Sequence, residues 1–214
     1  MPMGGIGDCR GPRRSCPDTQ NIGDACVMPR AVRVVTSIDM STEPVVIRRA
    51  EAMDLSKVET VAWTTWPVAY AGIIPDAVQQ RLLERWYSPE SLRSTLAVQG
   101  SSFFVAESRG EVIGFAQLVR RSAESVELTR IYVLPDRQRS GIGRQLLEAG
   151  LTEFAAKGLK HLTVEVERDN GPGRRFYEGA GFAEPRELTR DVQGYVLALV
   201  EYRRSILWGA PDRS

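Results

Sequence analysis

Side chains that commonly carry chemistry are scarce in this sequence. Its 214 residues include one histidine, His161, and three cysteines, Cys9, Cys16 and Cys26, all within the first 26 residues. Three cysteines at this spacing fit neither a disulfide framework nor a zinc pattern. Beyond Cys26 any chemistry must run without a thiol nucleophile. A single histidine gives little support to a histidine-based metal centre or a Ser-His-Asp triad, so no metal is expected. A reducing, cytoplasmic setting fits this cysteine usage. Charge of one sign is also missing. Lys and Arg total 28 against 27 Asp and Glu, a net charge of +1. That balance argues against bulk electrostatic binding of nucleic acid, and none is expected as a partner. No stretch approaches the roughly 18 uninterrupted apolar residues of a membrane span. No internal repeat is present.

What remains is the composition of a globular chain, 43% apolar and 26% charged. The length suits one domain plus an extension, since domains run to about 100–200 residues. A core of that size stands without disulfides or structural metal. Residues 1–40 carry Gly4, Gly5, Gly7, Gly11, Pro12 and Pro17 without helical or strand periodicity, and are expected to form a flexible extension. Arg30 and Arg33 interrupt its only apolar run, so it fails as a signal peptide. Asp8, Asp18 and Asp24 count against a transit peptide. Met40 directly precedes the first strand-like run, and natural translation is expected to start there. The domain is expected over residues 41–205, with a tail over 206–214.

Within the domain the elements follow with short connections. Val45-Val46-Ile47 reads as a strand. Glu51 to Trp66 reads as a helix with Val58, Val61 and Ala62 on one side. Pro75-Asp76 opens a second helix through Trp86, and Ser88-Pro89-Glu90 caps a third to about Val98. Ser102–Glu107 and Val112–Arg120 are strands about a Ser108-Arg109-Gly110 turn, and Glu124–Leu134 is a longer strand. Gly141 to Lys157 is strongly amphipathic, and Gly158 ends it as a left-handed cap. His161–Glu167 alternates as a strand, Pro172 opens a short helix through Tyr177, and Tyr195–Tyr202 is the final strand. The class is mixed α/β: an antiparallel meander, then a strand–helix–strand crossover. Trp63, Trp66 and Trp86 read as core or pocket wall, and Trp63, Trp66 and Tyr70 could alternatively line an acceptor site.

The most informative stretch runs from Glu127 through Pro135 to Gly141, Gly143 and Arg144. A strand leads into a glycine-rich loop and a helix begins at once. Such a helix start offers unpaired N–H groups and a dipole that favours negative charge. Glycines let the backbone approach a pyrophosphate, and Arg139 and Arg144 add positive charge. This is neither a Walker loop, lacking Lys-Ser/Thr, nor G-x-G-x-x-G, since Leu146 fills the third position. The run resembles the acetyl-CoA motif of the GNAT superfamily of N-acetyltransferases, Gln/Arg-x-x-Gly-x-Gly/Ala, here Gln138-Arg139-Ser140-Gly141-Ile142-Gly143. A second family block follows at matching distance: Val164-Glu165-Val166, Asn170, and Phe176-Tyr177-Glu178-Gly179-Ala180-Gly181-Phe182. Trp63 through Asp76 also looks like the first helices of many bacterial members. The resemblance spans about residues 45–203. One departure is Gly171-Pro-Gly173, where the family often has alanine-rich helix.

The resemblance implies a central, mostly antiparallel sheet of about six to seven strands with an acetyl-CoA crossover and flanking helices. It implies acetyl-CoA as donor, a small-molecule or peptide amine as acceptor, and direct transfer. Ile131-Tyr132-Val133 sits where members bind the pantetheine arm through backbone groups, and the amides around Val133 would serve the oxyanion. An alkylammonium has a pKa near 10 and must lose its proton. Glu127, 14 residues before Gly141, has the spacing of the catalytic glutamate in histone-type members. Glu165, five residues before Asn170, matches that of the ribosomal-protein N-terminal acetyltransferases. A surface carboxylate remains open for each. Strand alternation places Glu127, Thr129, Ile131 and Val133 on one face, and Thr163, Glu165 and Glu167 on another. Glu167 has no counterpart in the family pattern. Tyr177, seven residues after Asn170, is the expected general acid toward the departing sulfur, or else a core aromatic. Asn170 serves the pantetheine arm or caps a helix. A non-catalytic acyl-CoA sensor and a protein N-terminal or lysine acetyltransferase are the competing readings. Members often dimerise through late strands, so a homodimer is open.

Overall fold

The computed structural model describes residues 44–206. The expected extension over 1–40, the start at Met40 and residues 207–214 lie outside the described residues. Seven strands form one sheet: β1 (Val46–Arg49), β2 (Ser101–Ser108), β3 (Glu111–Arg120), β4 (Ser125–Val133), β5 (His161–Glu167), β6 (Ala183–Val192) and β7 (Tyr195–Ser205), in the order β1-β2-β3-β4-β5-β7-β6. All neighbours are antiparallel except β4 and β5. That parallel pair needs a crossover, supplied by α4 (Ile142–Ala156). The helices α1 (Leu55–Ala69), α2 (Asp76–Tyr87) and α3 (Pro89–Leu96) cover one face. The other face packs against α4 and α5 (Gly171–Gly179), through Leu146, Leu147, Phe154 and Tyr177. Covered on both sides, β3 is buried continuously from Val112 to Leu118.

Local chemistry explains most boundaries. Arg109 and Gly110 both have positive φ, at 52° and 78°, and close the β2–β3 hairpin. Ser88 accepts the Ser91 amide at 3.2 Å and caps α3. Gly158 ends the α4 segment at φ 75°. The first helix starts later than expected. Residues Ala52–Asp54 form a 3-10 turn whose Asp54 carboxylate accepts the Glu51 amide at 2.8 Å, and α1 then continues past Trp66 through Pro67. Trp66 is buried, whereas Trp63 is 37% exposed and not core. Ile206, expected in the tail, is buried and donates its amide to Lys160 O at 2.8 Å.

One strand escapes a periodicity reading. The β6 residues are Ala-Glu-Pro-Arg-Glu-Leu-Thr-Arg-Asp-Val and almost all are exposed, as suits a sheet edge defended by charge and proline. The local signal for it is the two-residue turn Gln193-Gly194, with φ 57° and 78°, which joins Val192 to Tyr195.

Candidate active site

The site is built where the sheet splits. Residues Ser125–Leu128 pair with His161–Val164, and the ladder stops there. Beyond it β4 follows β3, while β5 follows β7 to the end of Glu167. A bulge marks the split: Gln117 faces Arg130 and Leu118 faces Leu128, leaving Thr129 extra, its hydroxyl donating to Gln117 O at 3.1 Å. The Leu134 amide donates back to Ile113 O at 2.9 Å. Antiparallel strands alternate the direction of their amides, so those of Ile131 and Val133 face the fork. The Val133 carbonyl accepts the Gln138 side-chain amide at 3.0 Å, which places Gln138 against the strand rather than in the open turn.

The glycine-rich turn follows directly. Pro135–Arg137 form a 3-10 turn, Arg139 has φ 61°, and Gly141 has φ 84° at the start of α4. Among the described residues no side chain caps α4, so the amides of Ile142, Gly143 and Arg144 point outward at its positive end. A Cβ on Gly143 would lie 3.3 Å from Phe176 Cε2, so a bare Cα lets the start of α4 approach α5. Ser140 Oγ donates to Arg137 O at 2.6 Å and fixes the turn. Arg144 stands at this helix start with one side-chain contact among the described residues. Its Nη2 donates to Gly179 O at 3.0 Å, tying α4 to the end of α5.

From the opposite wall α5 presents Tyr177. Its ring packs against Phe176 and Phe182, with centroids 5.3 and 5.5 Å away. Among the described residues its hydroxyl has no hydrogen-bond partner. Burial, and secondarily the negative end of Tyr70, push its pKa up. Asn170, 9% exposed, accepts the Gly173 amide on Oδ1 at 2.9 Å and caps α5. The cap explains the glycine departure: a Cβ on Gly173 would sit 2.9 Å from Asn170 Nδ2.

The bulge corrects the expected face of Glu127. Val126, Leu128, Ile131 and Val133 pack toward α4, whereas Tyr132 packs toward α1 and α2. Glu127 pairs across from Val119 and Tyr132 from Phe115, so Glu127 shares a face with Arg130 and Tyr132, not with Ile131 and Val133. It receives Arg121 Nε at 2.6 Å. Glu165 lies on the same side of the sheet and is ion-paired with Arg190 of β6. Neither carboxylate is free.

Three groups converge here: Tyr70, expected as an alternative acceptor-site wall, Tyr132, expected along the cofactor arm, and Glu167, given no role. Tyr70 and Tyr132 hydroxyls are 3.0 Å apart. Burial raises the pKa of both. Glu167, 8% exposed, accepts the Asp169 amide at 2.6 Å, and burial raises its pKa while its charge raises that of Tyr70. Its signal in the sequence is position: two residues beyond Glu165 on the same face, it stands further past the split.

Comparison with known proteins agrees with this geometry. The acetyltransferase (GNAT) family model matches residues 58–182. A spermidine N(1)-acetyltransferase of Thermoplasma acidophilum is 30% identical over 140 residues, covering 64% of this chain and 86% of that protein. A mycothiol acetyltransferase of Streptomyces bingchenggensis is 32% identical over 106 residues, 49% of this chain and 31% of that enzyme. Among solved structures, the PaiA N-acetyltransferase of Thermoplasma acidophilum in complex with coenzyme A superimposes with a TM-score of 0.65 at 25% identity, covering 76% of this chain and 99% of that one. The split sheet, the glycine turn and the family match lead to one assignment: this chain is an acetyltransferase and belongs to the GNAT family.

Proposed function

We propose that the chain uses acetyl-CoA and moves its acetyl group directly onto a primary amine of a small molecule or peptide. The carrying observation is the fork. An unpaired strand edge with two outward amides runs straight into an uncapped helix start, and an unpartnered phenol stands on the facing wall. That donor set fits a diphosphate on a flexible amide-bearing arm: the amides of residues 139–144 take the diphosphate, that of Ile131 takes the arm, and that of Val133 is left for the acyl group at its end. The relatives named for spermidine and mycothiol, and the coenzyme A complex, support the same reading.

The thioester supplies the acetyl group. A new C–N bond replaces the C–S bond, the ammonium proton goes to a base, and the departing sulfur takes a proton. The Val133 amide holds the acyl oxygen as a fixed donor. Tyr177, protonated across the working pH range, gives the sulfur its proton. Three glutamates compete as base. Glu127 and Glu165 must share their charge with Arg121 and Arg190. Glu167 forms no ion pair among the described residues, and burial raises its pKa against the weaker opposing pull of Arg168, toward the range where a general base works best. We assign it the base role ahead of the other two.

Coenzyme A release across a panel of primary amines, with calorimetry of coenzyme A binding, tests the reading. Amine-dependent release together with measurable binding is expected. Binding without release for any amine would make the cleft a sensor, and absence of binding would remove the assignment of the fork.

A further inference from the structure

Arg130 stands on β4 just past the bulge, on the face that carries Glu127 and Tyr132. Its guanidinium carbon lies 4.7 Å from the centre of the Tyr87 ring at the end of α2. The Nη1 atom is enclosed and meets no acceptor among the described residues. No other described residue supplies the guanidinium with a hydrogen bond or an ion pair. The carboxylates of this face are committed elsewhere: Glu127 to Arg121, Glu165 to Arg190, Glu201 to Arg186, and Glu167 to the Asp169 amide.

This leaves a half-buried guanidinium with no anion among the described residues, on a face where Glu127, Glu165 and Glu201 are each held by another arginine. Withdrawing a guanidinium edge from water costs free energy unless an acceptor replaces the water. Stacking on Tyr87 offsets part of that cost and fixes the plane of the group. Nε and Nη2 are not enclosed, and a planar group held in one orientation suits contact with a carboxylate along that edge. Two residues further along β4, Tyr132 meets Tyr70; Tyr177 acts electrostatically on Tyr132, and Tyr70 on Tyr177. An acceptor anchored at Arg130 therefore extends past this tyrosine pair toward the fork.

We propose that Arg130 anchors a carboxylate of the acceptor, so that the preferred substrate is an amine that also bears a carboxylate, of the amino-acid or peptide class, and not a polycation. This rests on the acetyl-transfer reading and narrows it. A polyamine would bring further positive charge to an arginine that has no counter-ion.

The test uses the full chain, acetyl-CoA and steady-state coenzyme A release. Substrates are amino acids with the carboxylate one to five carbons from the amine, each matched with its primary amide, plus spermidine. In the wild type, at least one carboxylate is expected to exceed its own amide in kcat/KM by about tenfold or more, on the order expected for a hydrogen bond to a charged group. In Arg130→Gln that ratio should collapse to about one, with the loss in KM, and Arg130→Lys should restore part of it. A purely structural Arg130 would lower both members of each pair alike and leave the ratio intact, which would overturn the proposal. So would a wild type that prefers the amides or spermidine. Coenzyme A release with no amine at all would instead remove the acetyl-transfer reading, and this one with it.

Discussion

Tyr177→Phe isolates the proton that leaves with the sulfur. The substitution removes one oxygen and keeps the ring, whose packing between Phe176 and Phe182 is apolar on both sides. The hydroxyl has no partner among the described residues, so no donor or acceptor is orphaned, and stability should change by less than about 0.5 kcal/mol. General acid catalysis is worth roughly 10²–10⁴-fold, or about 3–5 kcal/mol at 1.36 kcal/mol per decade. The loss should therefore fall on kcat by at least about 100-fold while coenzyme A affinity and Tm stay near wild type. Burial raises the Tyr177 pKa above the ordinary phenol value of 10.0, so the wild-type profile should show no alkaline limb from this group below about pH 10. Steady-state coenzyme A release from pH 6 to 10, alongside calorimetry and thermal unfolding, reads all three quantities. A variant with kcat within about twofold of wild type would refute the acid role, because a positioned acid cannot be worth so little.

Other outcomes follow from the same geometry. Among Glu127→Gln, Glu165→Gln and Glu167→Gln, the acid limb of the kcat/KM profile should disappear for Glu167→Gln, whereas a full limb in that variant would move the base elsewhere. Asn170→Ala should cost about 1 kcal/mol in urea unfolding, the usual worth of a helix cap, and lower kcat because α5 carries Tyr177. Arg48 donates to Asp54 at 2.6 and 2.8 Å, and this bonding holds the Asp54 pKa low against the opposing effect of burial. A carboxylate with a depressed folded pKa stabilises above its unfolded value of about 3.9 and loses that contribution as pH falls through the folded one. Asp54→Asn should therefore weaken the protein by about 2 kcal/mol at pH 7 and by much less near pH 2, read as urea midpoints at the two pH values.

Much of the fold was legible because its signals are local. Pro135 and the two glycines announce the turn before α4, the 3.6-residue spacing of Ile142, Leu146 and Leu147 announces the helix, and Arg109-Gly110 announces a hairpin. The turn residues and Tyr177 were legible for the same reason: short motifs in fixed order. Contacts that depend on register were not. Glu127 was expected beside Ile131 because strands alternate, and one extra residue at Thr129 reverses everything beyond it. Bulges are set by the partner strand and leave little trace in the bulged one. The β6 strand hides because its charged residues pair with β5 and β7 through Arg190–Glu165 and Arg186–Glu201, contacts 25 and 15 residues apart in sequence. The unpaired state of Arg130 is likewise invisible until every competing carboxylate has been placed.

The same bulge explains why a cleft exists at all. Without it β4 and β5 would continue as an ordinary parallel ladder and satisfy the amides of Ile131 and Val133 internally. The strands instead answer to different partners: β4 stays in register with β3 up to Gly114–Val133, while β5 pairs along its whole length with β7. A strand that bends at a bulge cannot remain parallel to one held straight by its other neighbour. The unpaired amides would be costly if buried. On the proposed reading they persist because acetyl-CoA takes them in place of a neighbouring strand. Closing the bulge by deleting Thr129 should therefore abolish coenzyme A binding, seen by calorimetry, even where circular dichroism shows the sheet retained. Binding unaffected by that deletion would mean that the fork has another cause.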